Sequence, residues 1–164
     1  MFLIAFALAA PALPPQPMTV ETFQDAITDR ISAYATLRDG DSRLVVGCDR
    51  AGGDIKISVH SDRWLVRGAL FHGHRNFIHR FDRDRPRRQL WIPDHRSATL
   101  VKDRRILPFL RGMASSGHVV IRMRDVEDRW YDTSFRLTNV RPALVQVLQT
   151  CRRPDIAERA LGEA

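Results

Sequence analysis

The segment from Arg75 to Arg105 carries the densest chemistry of the chain. It holds ten basic side chains (Arg75, Arg80, Arg83, Arg85, Arg87, Arg88, Arg96, Lys102, Arg104 and Arg105) and four acids (Asp82, Asp84, Asp94 and Asp103). Its balance of +6 is nearly all of the formal net charge of +7. A localised positive region binds anionic polymers or an acidic protein face. Phe77, Phe81 and Trp91 are interleaved with these charges, a pattern that also suits single-stranded nucleic acid in principle. Arg80, Asp82, Arg83, Arg85, Arg87, Arg88 and Trp91 are the candidate partner-binding residues. The bland reading of the same stretch is a solvated loop of Arg–Asp pairs.

Three other constellations are weaker. His72, His74 and His79 place three imidazoles close in sequence, and three His could hold zinc. No HExxH pattern accompanies them, so a metal-dependent hydrolase is the third-ranked class and no metal ligand is assigned. Ser115, Ser116 and His118 lie side by side, but adjacency in sequence is not triad geometry, and there is no GxSxG. Asp125, Glu127 and Asp128 suit a hairpin tip exposed to water better than a paired-carboxylate site. With no catalytic motif in place, the expected protein is not an enzyme, and no cofactor is expected.

Composition sets the frame for these groups. A chain of 164 residues with 44% hydrophobic side chains can fold as one domain around a packed core. Lys56 and Lys102 are the only lysines among 26 basic residues. Codon bias explains an Arg excess of this kind, and so does selection for bidentate contacts to phosphate or carboxylate.

The first residues point to a compartment. Met1 to Ala12 read MFLIAFALAAPA, a short apolar run with small-x-small patterns ending at Ala9 and Ala12. Residues 13–18 are rich in proline. This is the pattern of a secretory signal peptide over 1–12 followed by a linker, and no apolar run reaches the roughly 18 residues of a membrane span. The competing reading is translation from Met18. Export implies a periplasmic protein, which rarely meets nucleic acid; a periplasmic protein partner or an anionic envelope polymer is the expected ligand. Two cysteines, Cys48 and Cys151, fit the same compartment. One disulfide is the default there, with a metal pair or a reactive thiol as alternatives.

The elements that must position these groups follow from periodicity. Thr19 to Ala33 has Val20, Phe23, Ala26, Ile27 and Ile31 at helical spacing and predicts a helix. From Arg43 the period changes to two. Leu44, Val46 and Cys48, then Ile55, Ile57 and Val59, predict a hairpin across the turn Ala51–Asp54. Further strands are expected at 64–71, 76–82, 89–92, 98–101, 118–124 and 130–137. A helix is expected over 102–113, with Pro108 tolerable only near its first turn, and another from Thr138 or Asn139 to about Gln149. Residues 152–164 read as a polar tail, helical or frayed. The sum is one β-rich domain over 19–151, an antiparallel sheet or sandwich with flanking helices. No Gly-rich phosphate loop or strand–helix alternation supports a nucleotide-binding α/β fold.

The order of these features resembles a known group. It runs Leu44-x-Val46-x-Cys48, the strand Ile55 to Val59, Arg80-Phe81-Asp82 with Trp91 nine residues on, a helix over Ile106 to Met113, the strand Val119 to Arg124, Phe135-x-Leu137, and a helix ending at Cys151. This resembles the small periplasmic accessory proteins associated with type VI secretion systems and their relatives, over about residues 43–151. The resemblance implies a Cys48–Cys151 disulfide, a periplasmic β-rich domain and a non-enzymatic role in binding or assembly. The chain departs from that pattern at His79, at Arg136 and Asn139, and in the Arg-rich stretch Arg83 to Arg88.

Overall fold

Alternate burial along the strands builds one inner face. Ala33, Ala35 and Leu37, then Leu44, Val46 and Cys48, then Ile57 and Val59 are buried, while their sequence neighbours Tyr34, Thr36, Val45 and Ser58 are only partly covered. Ala98 and Leu100, Phe77, His79 and Phe81, and Val119, Ile121 and Met123 continue the pattern. A period of two with one covered face is what an antiparallel sheet requires.

The computed structural model describes residues 17–66 and 73–162; the expected signal peptide lies outside the described residues. The strands among them are β1 (Thr19–Gln24), β2 (Ile31–Asp39), β3 (Ser42–Cys48), β4 (Lys56–His60), β5 (Arg75–Phe81), β6 (Arg87–Asp94), β7 (Ser97–Leu100), β8 (His118–Arg124) and β9 (Trp130–Arg136). The helices are α1 (Asp103–Ser115), α2 (Val140–Thr150) and α3 (Pro154–Leu161). The strands form one sheet in the order β1-β2-β3-β4-β7-β6-β5-β8-β9, with every pairing antiparallel. β2 also touches β9, so the sheet curls back on itself, and α2 rests on β1, β2 and β3. The expected mainly-β architecture with flanking helices is the one observed. No helix among the described residues is long and apolar enough to cross a membrane.

Two expectations are corrected and one open alternative is resolved. The helix expected over Thr19–Ala33 is instead the hairpin β1–β2, with Thr19 opposite Thr36 and Gln24 opposite Ile31. The Asp25 carboxylate accepts the Ile27 and Thr28 amides at 2.9 and 2.7 Å and closes the turn, a local side-chain bond that competes with helix. The helical stripe is not buried: Ile27 is 93% exposed. The strand expected over 64–71 is irregular through Val66, and its remainder lies outside the described residues. The polar tail folds as α3, which buries Ile156, Ala157, Ala160 and Leu161 and packs on α1 and α2.

Pro108 sits well inside α1. It cannot donate to the Arg104 carbonyl. The helix persists because Ile106, Leu107, Phe109, Leu110 and Met113 are all buried on its other side, and tertiary packing outweighs local propensity.

Cys48 at the end of β3 and Cys151 at the end of α2 form a disulfide across 103 residues, with Cα atoms 6.0 Å apart. Hydrogen bonds brace the same junction. The Gly52 amide donates to the Cys151 carbonyl at 2.7 Å. Arg153 bridges Asp103 of α1 and Asp155 of α3 at 2.9 and 2.8 Å. Closing so long a loop restricts the unfolded chain, so replacing Cys48 and Cys151 by Ala is expected to lower stability by roughly 2–5 kcal/mol. Denaturant unfolding of the variant against the oxidised protein measures this; an unchanged midpoint would show that the bridge contributes nothing.

Candidate functional site

β6 is a two-sided strand only at its end. β7 pairs with Ile92, Pro93 and Asp94, and the chain then leaves the sheet to start α1. Residues 87–90 pair with β5 alone, and their other flank faces α1. Two hydrogen bonds set that gap: Gln89 Nε2 donates to the Arg105 carbonyl at 2.8 Å, and Arg105 Nη1 donates to the Leu90 carbonyl at 3.3 Å.

The gap is a cleft of about 480 Å3, with His79, Arg87, Arg88, Gln89, Leu90, Arg104, Arg105 and Pro108 among its lining residues. A smaller cavity of about 200 Å3 adjoins it, sharing His79, Arg87 and Pro108 and adding Phe81, Asp84, Arg85, Arg111, Gly112 and Ser115. Six arginines therefore face one carboxylate, Asp84.

Several arginines elsewhere are neutralised. Arg122 makes a bidentate pair with Asp132 at 2.7 and 2.8 Å, Arg124 pairs with Asp128 at 2.7 Å, and Arg129 pairs with Asp125 and Glu127 at 3.0 and 2.6 Å. No such pair is formed by Arg85, Arg87, Arg88 or Arg104 among the described residues. Unpaired guanidiniums gathered at one concave surface form a field that attracts carboxylate and phosphate groups and present a fork that fits them.

The floor of the cleft is made by α1 packing on β5 and β6. Phe109 lies 5.0 Å from His79, 5.2 Å from Phe81 and 5.7 Å from Trp91, ring centre to ring centre. Gly112 allows this approach, because a Cβ there would stand 2.3 Å from the Phe81 ring. His79 is only 6% exposed and its Nδ1 has no hydrogen-bond partner. Burial, helped by the charge of Arg87, pushes its imidazole down to about 4, so the ring is neutral at physiological pH. A neutral imidazole offers one donor and one acceptor.

The sequence candidates separate in space. Arg85, Arg87 and Arg88 line the two cavities. Arg83 is exposed in the β5–β6 turn, and Arg80 is exposed on the outer side of β5. Asp82 is tied into the scaffold: it adopts φ 41°, and its carboxylate accepts the Gly117 amide at 3.0 Å. Trp91 is fully buried and stacks on Phe77 at 6.1 Å, so it supports the floor from below and does not reach a partner.

Of the three histidines considered for zinc, His72 lies outside the described residues, His74 is exposed and His79 is buried on the inner face. No group of three or more His, Cys, Asp or Glu able to hold a metal occurs among the described residues. Ser115 Oγ donates to the Arg111 carbonyl at 2.7 Å. Asp125, expected at a solvated tip, is 3% exposed. Desolvation raises its carboxyl, but hydrogen bonds from Arg129 and the Glu127 amide outweigh that and hold it below the usual carboxylate range.

The sequence reading missed Arg104, Arg111 and Gln89 as site residues. A signal was present for the first two: Arg104, Pro108, Arg111 and Ser115 recur at helical spacing and mark one face of α1.

His79 makes stability depend on pH. The folded imidazole takes its proton near 4 and the free one near 6.5, so between these values the unfolded chain holds the extra proton. Stability present above pH 6.5 is expected to fall as pH drops toward 4, by roughly 3 kcal/mol in total. His79→Phe keeps the aromatic packing and should flatten that slope, leaving the part due to His60, which burial also lowers. Denaturant unfolding across this range checks it; an identical slope in the variant would sink it. Comparisons with protein-family models, curated proteins and solved structures find no match to this chain.

Proposed function

We propose that this protein is an exported, non-enzymatic binding domain that recognises an anionic polymer of the cell envelope through the cleft between β6 and α1. The observation that carries the reading is the collection of Arg85, Arg87, Arg88 and Arg104 at one concave surface with no carboxylate partners among the described residues. The disulfide is compatible with an oxidising compartment. An accessory role in a secretion assembly, which the resemblance implies, would use the same cleft against an acidic protein face.

Binding is tested with inorganic polyphosphate as the anionic polymer. Affinity is expected to fall steeply as salt rises from about 50 to about 200 mM, because exposed charges are screened over about 10 Å at 0.1 M. The triple variant Arg87→Gln, Arg88→Gln, Arg104→Gln should lose about tenfold or more, at roughly 0.5 kcal/mol or more per contact. Arg122→Gln, on the outer strand surface and already paired, should change binding little. Salt-insensitive binding, or equal loss in Arg122→Gln, would overturn the reading.

Export is tested by intact mass of the protein expressed in a Gram-negative host. The expected product starts after Ala9 or Ala12 and carries no free thiol until reduced. A product that begins at Met1 or Met18 with two free thiols would refute export.

A further inference from the structure

The cleft holds more than charge. Gln89 Nε2 donates to the Arg105 carbonyl at 2.8 Å, which fixes the orientation of the amide. Its Oε1 is then a buried acceptor with no partner, and His79 Nδ1 is a second buried polar atom without one. His79 stands opposite Arg87 across β5–β6, two residues from Gln89 on the same face of the sheet, a diagonal spacing of roughly 7–8 Å; both atoms are covered, so an occupant meets them by displacing the side chains that cover them. Both side chains line the same cleft.

Unpartnered buried polar atoms are rare, and each loses its hydration for no return. A bare oxyanion cannot repair this. A deprotonated phosphate or a carboxylate has only acceptors, and Gln89 Oε1 needs a donor. The occupant must bring a hydroxyl or similar donor to the floor and a negative charge to the arginines at the rim. Leu90 and Pro108 add apolar surface to the walls, which suits the C–H face of a sugar ring.

We infer that the cleft is built for an anionic sugar unit, its hydroxyls hydrogen-bonded to Gln89 and His79 and its phosphate or carboxylate held by Arg87, Arg88 and Arg104. This rests on the anionic-ligand reading above and names the chemistry of that ligand. Two sources present such a unit: a soluble sugar acid or sugar phosphate, and the same unit carried on a polymer.

Calorimetric titration of the oxidised full-length protein tests it with matched pairs: glucose 6-phosphate against inorganic phosphate, and glucuronate against acetate. The sugar member of each pair is expected to bind about tenfold tighter, the return for satisfying a buried polar group. Gln89→Leu and His79→Phe should bring that ratio close to one, while Arg122→Gln, outside the cleft, leaves it unchanged. Phosphorylated dextran separates the sources: tighter binding than glucose 6-phosphate assigns a polymer, and equal or weaker binding assigns the free compound. Equal affinities within each pair, or preference for a Glu-rich peptide over both sugars, would overturn the inference. If polyphosphate still binds in that case, the anionic-polymer reading stands and the sugar assignment alone fails. If polyphosphate does not bind either, both fail.

Discussion

Everything at the candidate site depends on how Phe109 docks. One aromatic ring of α1 meets His79 and Phe81 of β5 and Trp91 of β6. Clustered aromatic rings gain from edge-to-face geometry beyond the area they bury. The contact fixes the height of α1 above the sheet, and Gly112 permits that height by offering no Cβ to the Phe81 ring. With α1 held there, Arg104, Arg105 and Arg111 come to face Arg85, Arg87 and Arg88. The cleft is therefore a product of apolar packing one layer below it. A change at Phe109 would disturb the arginines without touching any of them.

The early end of β7 is the second condition. Four residues of β7 suffice to pair with β4 along their whole length but cover only the end of β6. The rest of that β6 flank would be an open edge, a hazard in any sheet. Here α1 covers it, tied by Gln89 and Arg105, and the exposed arginines on Arg87 and Arg88 discourage strand addition. The same charges that protect the edge also form the field of the cleft.

Most of the sheet was legible because its strands are covered on one face, and coverage on one face writes a period of two. β3, β4, β5, β8 and β9 carry that signal in Leu44–Cys48, Ile55–Val59, Phe77–Phe81, Val119–Met123 and Phe135. β1 does not. It is an edge strand, exposed along most of its length, so burial leaves no alternation on it, and the chance helical spacing of Val20, Phe23, Ile27 and Ile31 dominates the pattern. α3 is the reverse case: Ile156, Ala157, Ala160 and Leu161 recur at helical spacing, but their burial comes from α1 and α2, and that packing is what local sequence does not announce. At the site, charge density exposed Arg85, Arg87 and Arg88, but their companions across the cleft come from a different element. The joining of β6 to β7 and of β7 to β4 is what brings α1 there, and such non-local pairing is not written in any window of the sequence.

The cleft is costly to the fold on its own terms. Like charges gathered without partners repel, and buried polar atoms such as His79 Nδ1 and Gln89 Oε1 have given up water without compensation. A sequence selected for stability alone would bring acids into pairing distance of these arginines, as it does at Arg122, Arg124 and Arg129. It would also put an apolar ring at position 79, where the surroundings are Phe81 and Phe109. Two local rules are broken together at this one place. Such concentrated violations are expected where a protein binds something, since a ligand that supplies the missing charge and hydrogen bonds removes the repulsion and the desolvation cost in one step. Arg153, paired with Asp103 at the start of α1 and with Asp155 of α3, offsets part of that cost by holding the beginning of α1 through a contact outside the cleft lining.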